Sequence, residues 1–214
     1  MPTFLSGTVP IRLQSHKPDT PGQHPALILF HGSGGNVDRW LQHIAPAVNA
    51  MGVALFAVHY FDRTKTTRAD PAMIQDGIHF PLWLDTAKDA LSHIAAMPDV
   101  DARRIGLIGI SLGAFLALAL ATEAKPIRVV IDVSGGLAEP WSARATSAFP
   151  HTLILHGEAD MVVPVSYARD LGHLLTRLDV RHQTLLLPNE NHWFSPPALL
   201  RMLATILAFL KANL

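Results

Sequence analysis

Cysteine is absent from the 214 residues, which excludes disulfides, thiolate metal sites and a cysteine nucleophile. Charge is sparse as well. Charged residues make up 16% of the chain, and 17 Lys and Arg balance 17 Asp and Glu. With no basic face implied, nucleic acid and anionic membranes are not expected as partners. The N-terminus lacks a charged segment followed by a long apolar one, so no signal peptide is expected. The longest apolar segment, Ala198–Leu210, carries Arg201 and is too short to span a bilayer. The expectation is a soluble, cytoplasmic protein. Histidine is plentiful, but no His-Glu-x-x-His occurs, and His151 and His156 fall in a strand pattern; neither metal nor cofactor is expected.

What is present is apolar sequence, 49% of the residues, arranged in short runs. The length suits one domain over residues 1–214. Continuous apolar stretches at Ala26–Phe30, Val53–His59, Arg104–Ile110, Ile127–Val133, Thr152–His156 and Gln183–Leu187 read as strands buried on both faces. Helices are predicted between them: Asp38–Met51, Pro81–Met97, Ala114–Glu123 and Ser166–Leu178, with a last one after Pro196 and Pro197. Pro46 predicts a kink or break in the first of these. Residues Tyr60–Phe80 read as a polar loop with a short helix after Pro71. Strands alternating with helices predict an α/β fold with a mostly parallel sheet covered on both sides.

One strand ends in Gly109-Ile110-Ser111-Leu112-Gly113 and runs straight into a helical pattern. Gly-x-Ser-x-Gly in a strand–turn–helix context is the pattern of a nucleophile elbow, whose turn is too tight for Cβ atoms at the flanking positions. Ser111 is thereby a candidate nucleophile. Serine needs a base, and the base needs an orienting group. After the Thr152–His156 strand comes Gly157-Glu158-Ala159-Asp160, and after the Gln183–Leu187 strand comes Asn189-Glu190-Asn191-His192. Asp160 is the first candidate acid, with Glu158 and Asp132 as rivals; Asp132 is expected to point into the flank of the sheet. His192 is the candidate base, since His173 and His182 sit in a helix and at a strand start. An oxyanion hole calls for two amides. Leu112 supplies one by position, and the loop His31-Gly32-Ser33-Gly34-Gly35 supplies the other from Ser33 or Gly34.

Together these segments resemble the α/β-hydrolase superfamily, and within it the dienelactone hydrolase family and its prolyl-oligopeptidase-like relatives. The resemblance rests on His31-Gly32-Ser33-Gly34-Gly35, on Asp101-x-x-Arg104-Ile105-Gly106 leading to the elbow, on His156-Gly157-Glu158-Ala159-Asp160-x-x-Val163-Pro164 and on Asn191-His192. It implies the α/β-hydrolase fold with minimal or no lid. It also implies two-step acyl transfer by Ser111, His192 and Asp160. Dienelactone hydrolase itself carries cysteine at the elbow, whereas this chain carries Ser111.

The substrate expected on these grounds is a small carboxylic ester or lactone. A thioester or peptide-type acyl compound is the alternative, and a non-catalytic binding protein of the same fold is the alternative of another class. Among the aromatics near the loops, Trp141, Trp193 and Tyr60 are candidate pocket residues. Arg63 is either a carboxylate binder or a solvated loop residue. The apolar final helix suits burial within a monomer or a contact in a homodimer; burial is the expectation.

Overall fold

The structure, a computed structural model, describes residues 1–123 and 126–214. Its strands are β1 (Thr3–Ser6), β2 (Val9–His16), β3 (His24–Phe30), β4 (Ala54–Val58), β5 (Val100–Ile110), β6 (Val129–Val133), β7 (His151–Gly157) and β8 (His182–Leu187). They form one eight-stranded sheet in the order β1-β2-β4-β3-β5-β6-β7-β8. From β4 to β8 every neighbouring pair is parallel, while β1 and β2 form an antiparallel ribbon joined to β4. The six parallel strands are those the sequence pattern marks; β3 to β7 carry apolar runs, whereas β8, at the sheet's edge, leaves Gln183 and Thr184 exposed. In β1 and β2 only alternate residues such as Phe4, Ile11 and Leu13 are buried, and so that run is missing.

Among the described residues there are six helices, α1 (Val37–Ala50), α2 (Pro71–Gln75), α3 (His79–Ala95), α4 (Leu112–Glu123), α5 (Ser166–Arg177) and α6 (Pro196–Asn213); the short α2 packs on α3 and the other five cover the sheet. Strand alternation sorts the core into two layers. Ile28, Phe30, Leu107 and Val130 face α3, α4 and α5. Leu27, Leu29, Ile108, Ile110 and Ile131 face α1 and α6. Helix α4 is buried on nearly all sides, as Leu116 to Ala121 show, which suits its position directly beneath the strand that feeds it. Helix α6 buries Met202, Ile206, Phe209 and Leu210 against the sheet, as expected of a covered helix.

The break expected at Pro46 does not occur; α1 runs unbroken from Val37 to Ala50. Pro46 and Gln42 both lie on the exposed side, so the Gln42 carbonyl that Pro46 cannot serve faces water. The elbow helix begins two residues earlier than the sequence pattern suggests, at Leu112, because the turn is a single residue long. Between β6 and β7 the described residues form only a 3₁₀ turn at Ser142–Arg144, so that connection carries no extended lid.

Candidate active site

At that edge β5 ends and α4 begins on one residue, Ser111, whose φ is +54°. A left-handed backbone is costly for a residue with a Cβ and persists only where the surroundings impose it. Here the surroundings are backbone. A Cβ on Gly109 would collide with Gly113 and Ala114, and one on Gly113 with the carbonyls of Phe30 and His31. The turn is also tied to the next strand by the Ser111 amide, which donates to the Val133 carbonyl at 2.8 Å. The serine side chain is thus held above the sheet by two glycines and one cross-strand bond.

Two further loops from the same edge converge on it. Ser111 Oγ lies 3.1 Å from His192 Nε2, and His192 Nδ1 lies 2.7 Å from Asp160 Oδ2. The Nδ1–H of the imidazole therefore donates to the carboxylate, leaving the Nε2 lone pair to the serine hydroxyl. Asp160 is buried, and its Oδ1 accepts the amides of Val162 and Val163 at 2.8 and 2.9 Å. Those bonds fix the carboxylate plane. Of the rival acids, Glu158 turns to Arg169 on the surface at 3.2 Å. Asp132 is wholly buried within β6, on the α4 side, and its Oδ1 accepts the Gly135 amide at 2.9 Å. Burial pushes the Asp132 carboxyl up to about 7, the mark of a neutral internal acid. It does not approach His192.

A residue whose role is hidden in sequence stands behind Asp160. His156, at the end of β7, is fully buried and donates Nε2–H to the Val163 carbonyl at 2.9 Å. Burial lowers its pKa, keeping the ring neutral. It pins the loop whose amides hold Asp160, and its ring lies 3.5 Å from the same carboxylate. The signal was the His-Gly pair at the strand's end, but a strand pattern alone assigns it only to the core.

The glycine loop after β3 passes beside the serine: a Cβ on Gly32 would touch Ser111 Cβ at 3.4 Å. The Ser33 carbonyl accepts the Ala69 amide at 2.9 Å, which orients that peptide. Among the described residues, the amides of Ser33, Gly34 and Leu112 have no backbone partner. His31 anchors the loop from below. Its ring stacks on Tyr60 at 4.2 Å, its carbonyl accepts the Tyr60 hydroxyl at 2.7 Å, and burial lowers its pKa to about 4.

A cavity of about 370 Å³ opens beside Ser111 and His192. Of the expected pocket residues only Trp193 lines it, with the neighbouring Phe194. Tyr60 is instead a fully buried brace for the glycine loop. Arg63 sits in a 3₁₀ turn, Tyr60–Thr64, with its guanidinium packed on Gly7 of the β1–β2 turn. Trp141 packs at a tilt against Phe80 and donates to Glu123 at the far end of α4, roughly 18 Å of helix from the serine. Position in a loop after a strand did not distinguish facing the cavity from facing the body of the protein. Among the described residues no cluster of His, Asp and Glu is arranged to hold a metal ion, and no helix is long and apolar enough to cross a membrane.

A mostly parallel eight-stranded sheet, helices on both faces and a serine on the β5–α4 turn define an α/β-hydrolase. The model of the dienelactone hydrolase family matches residues 12–198, and the chain belongs to that family. The fold is shared with a dienelactone hydrolase-like promiscuous phosphotriesterase from metagenomic libraries, at a TM-score of 0.84 and 20% identity over 98% of this chain and 95% of that one. Dienelactone hydrolase from Anabaena variabilis ATCC 29413 superposes with a TM-score of 0.76 at 20% identity, covering 99% of this chain and 96% of the other. In sequence the chain is 27% identical to the mitochondrial acyl-coenzyme A thioesterase 2 of Homo sapiens over 124 residues, 56% of this chain and 23% of that protein. The match thus spans about a quarter of the length of such relatives.

Proposed function

We propose that the protein is a serine hydrolase that cleaves small carboxylic esters or lactones through an acyl-enzyme. The observation that carries the reading is the unbroken line from Ser111 Oγ through His192 to Asp160, at 3.1 and 2.7 Å. His192 Nε2 takes the hydroxyl proton as Ser111 Oγ attacks the acyl carbon. The tetrahedral oxyanion is met by the amides of Leu112 and Ser33, with Gly34 next in line. Collapse breaks the bond to the leaving oxygen, which receives the proton from His192. Water then repeats the sequence: it gives a proton to His192, attacks the acyl carbon and releases the acid, and the proton returns to Ser111. Neither cofactor nor metal enters any step.

A thioester substrate is the second reading, and the acyl-coenzyme A thioesterases among the relatives favour it. The same steps apply with sulfur as the leaving atom. Labelling with a fluorophosphonate probe, followed by rates on p-nitrophenyl acetate, a lactone and an acyl thioester, tests both readings. The expected result is labelling at Ser111 and loss of about 10⁴-fold or more in kcat for Ser111→Ala on the best substrate. Unchanged turnover in that variant overturns the mechanism. An unlabelled, inactive but folded protein points to a binding protein instead.

A further inference from the structure

The cavity beside Ser111 does not end at the serine. It extends along the α1/α6 face of the sheet, with Trp40 and Ile44 of α1 on one side, Leu199, Leu203 and Ile206 of α6 on the other, and Ile108 of β5 at its base. From Leu199 to Ile206 it follows roughly 10 Å of α6. The charged or titratable lining residues besides His192 are Arg39 and His43, both on the exposed side of α1 and therefore at the rim. Below the rim the walls are aliphatic or aromatic apart from the hydroxyls of Ser111 and Ser134. At the opening, Trp193 and Leu200 are 69% and 70% exposed, an apolar collar on a surface that otherwise has little reason to show such side chains.

We propose that this channel binds the unbranched aliphatic acyl chain of the substrate, which makes the enzyme selective for medium-chain acyl groups over acetyl. The assignment rests on Ser111 acting as the nucleophile. The whole cavity, about 370 Å³, equals roughly a dozen water-sized units, and a methylene is of similar size; with the space over Ser111 and the glycine loop set aside, about eight to ten carbons fit. The acyl side is favoured over the alcohol side for two reasons. The loop that carries the Ser33 amide forms part of the channel wall, which sets the oxyanion and the substituent on the acyl carbon next to each other. The acyl chain also stays attached through both steps, whereas the alcohol must leave after the first. An acyl group bearing charge finds no counter-charge below the rim and is excluded by desolvation.

The test is a series of p-nitrophenyl esters from acetate to palmitate, set against octyl acetate. Each buried methylene is expected to raise kcat/KM about threefold to fourfold, up to octanoate or decanoate, with no further rise at palmitate. Leu203→Trp fills the channel, and it should lower the octanoate-to-acetate ratio of kcat/KM at least tenfold. Leu199→Phe is the second variant should the first not fold. In each variant, fluorophosphonate labelling of Ser111 reports the integrity of the catalytic site independently of the channel. A flat chain-length profile, a preference that follows the alcohol chain, or an unchanged ratio in a labelled variant overturns the proposal. Absence of labelling in the unaltered protein overturns the catalytic reading and this assignment with it.

Discussion

Asp160 carries three hydrogen bonds, two from backbone amides and one from His192. The last of these sets the imidazole tautomer, because only Nδ1–H can meet a carboxylate oxygen. In Asp160→Asn the carboxamide nitrogen can replace Oδ2 and donate, which turns the imidazole to the tautomer with a proton on Nε2. That tautomer cannot accept the serine proton. The variant is expected to fold normally and lose about 10⁴-fold in kcat with little change in KM. Single-turnover kinetics on an activated ester check it, and a loss below tenfold would remove Asp160 from the catalytic set. That Ser111, His192 and Asp160 come together was legible at this scale, because a nucleophile, a base and an orienting acid call for particular residue types in a particular chain order. His156 and Tyr60 were not, since each acts through a backbone carbonyl that sequence does not locate.

The elbow works as a unit of strand, turn and helix. Its tightness comes from backbone meeting backbone: Gly113 lies against the carbonyls of Phe30 and His31 at the end of β3. Neither carbonyl can yield, because β3 is hydrogen-bonded on both sides in the middle of the sheet. Gly113→Ala is therefore expected to cost about 3 kcal/mol or more, where the same change inside an ordinary helix stabilises by about 0.5–1 kcal/mol. Urea denaturation measures it, and a neutral or stabilising outcome would mean the turn is looser than described. Element identity was readable wherever burial on both sides produced a continuous apolar run, as in Ala26–Phe30. The β1–β2 ribbon lacked that signature because only one of its faces is covered. The channel was unreadable for a related reason. Trp40, Leu199 and Leu203 sit at helical spacing that marks an inward face, and only the separation of α1 from α6 decides whether that face meets a neighbour or a space.

Across the whole molecule, buried titratable groups bias stability in opposite directions. His31 is neutral when folded, with a pKa near 4, so the unfolded chain binds more protons below about pH 6.5. His31 stabilisation is thus lost as pH falls through that window. Asp132 does the reverse. Its carboxyl, raised to about 7 by burial, stays protonated in the fold while the unfolded carboxyl ionises near 3.8, so the folded state binds the extra proton. Its contribution therefore declines as pH rises from about 4 to about 7 and stays low above that. At about 1.4 kcal/mol per pH unit over roughly three units, the decline amounts to about 4 kcal/mol. Asn at this position keeps an oxygen for the Gly135 amide and cannot ionise. Whatever fixed packing penalty it brings is the same at every pH. Asp132→Asn should consequently gain on the wild type by about 3 kcal/mol between pH 4.5 and pH 7.5, roughly 8 °C in Tm for a chain of this size. Paired thermal melts at those two pH values decide it: a difference between variant and wild type that does not change with pH would show that Asp132 is ionised within the fold.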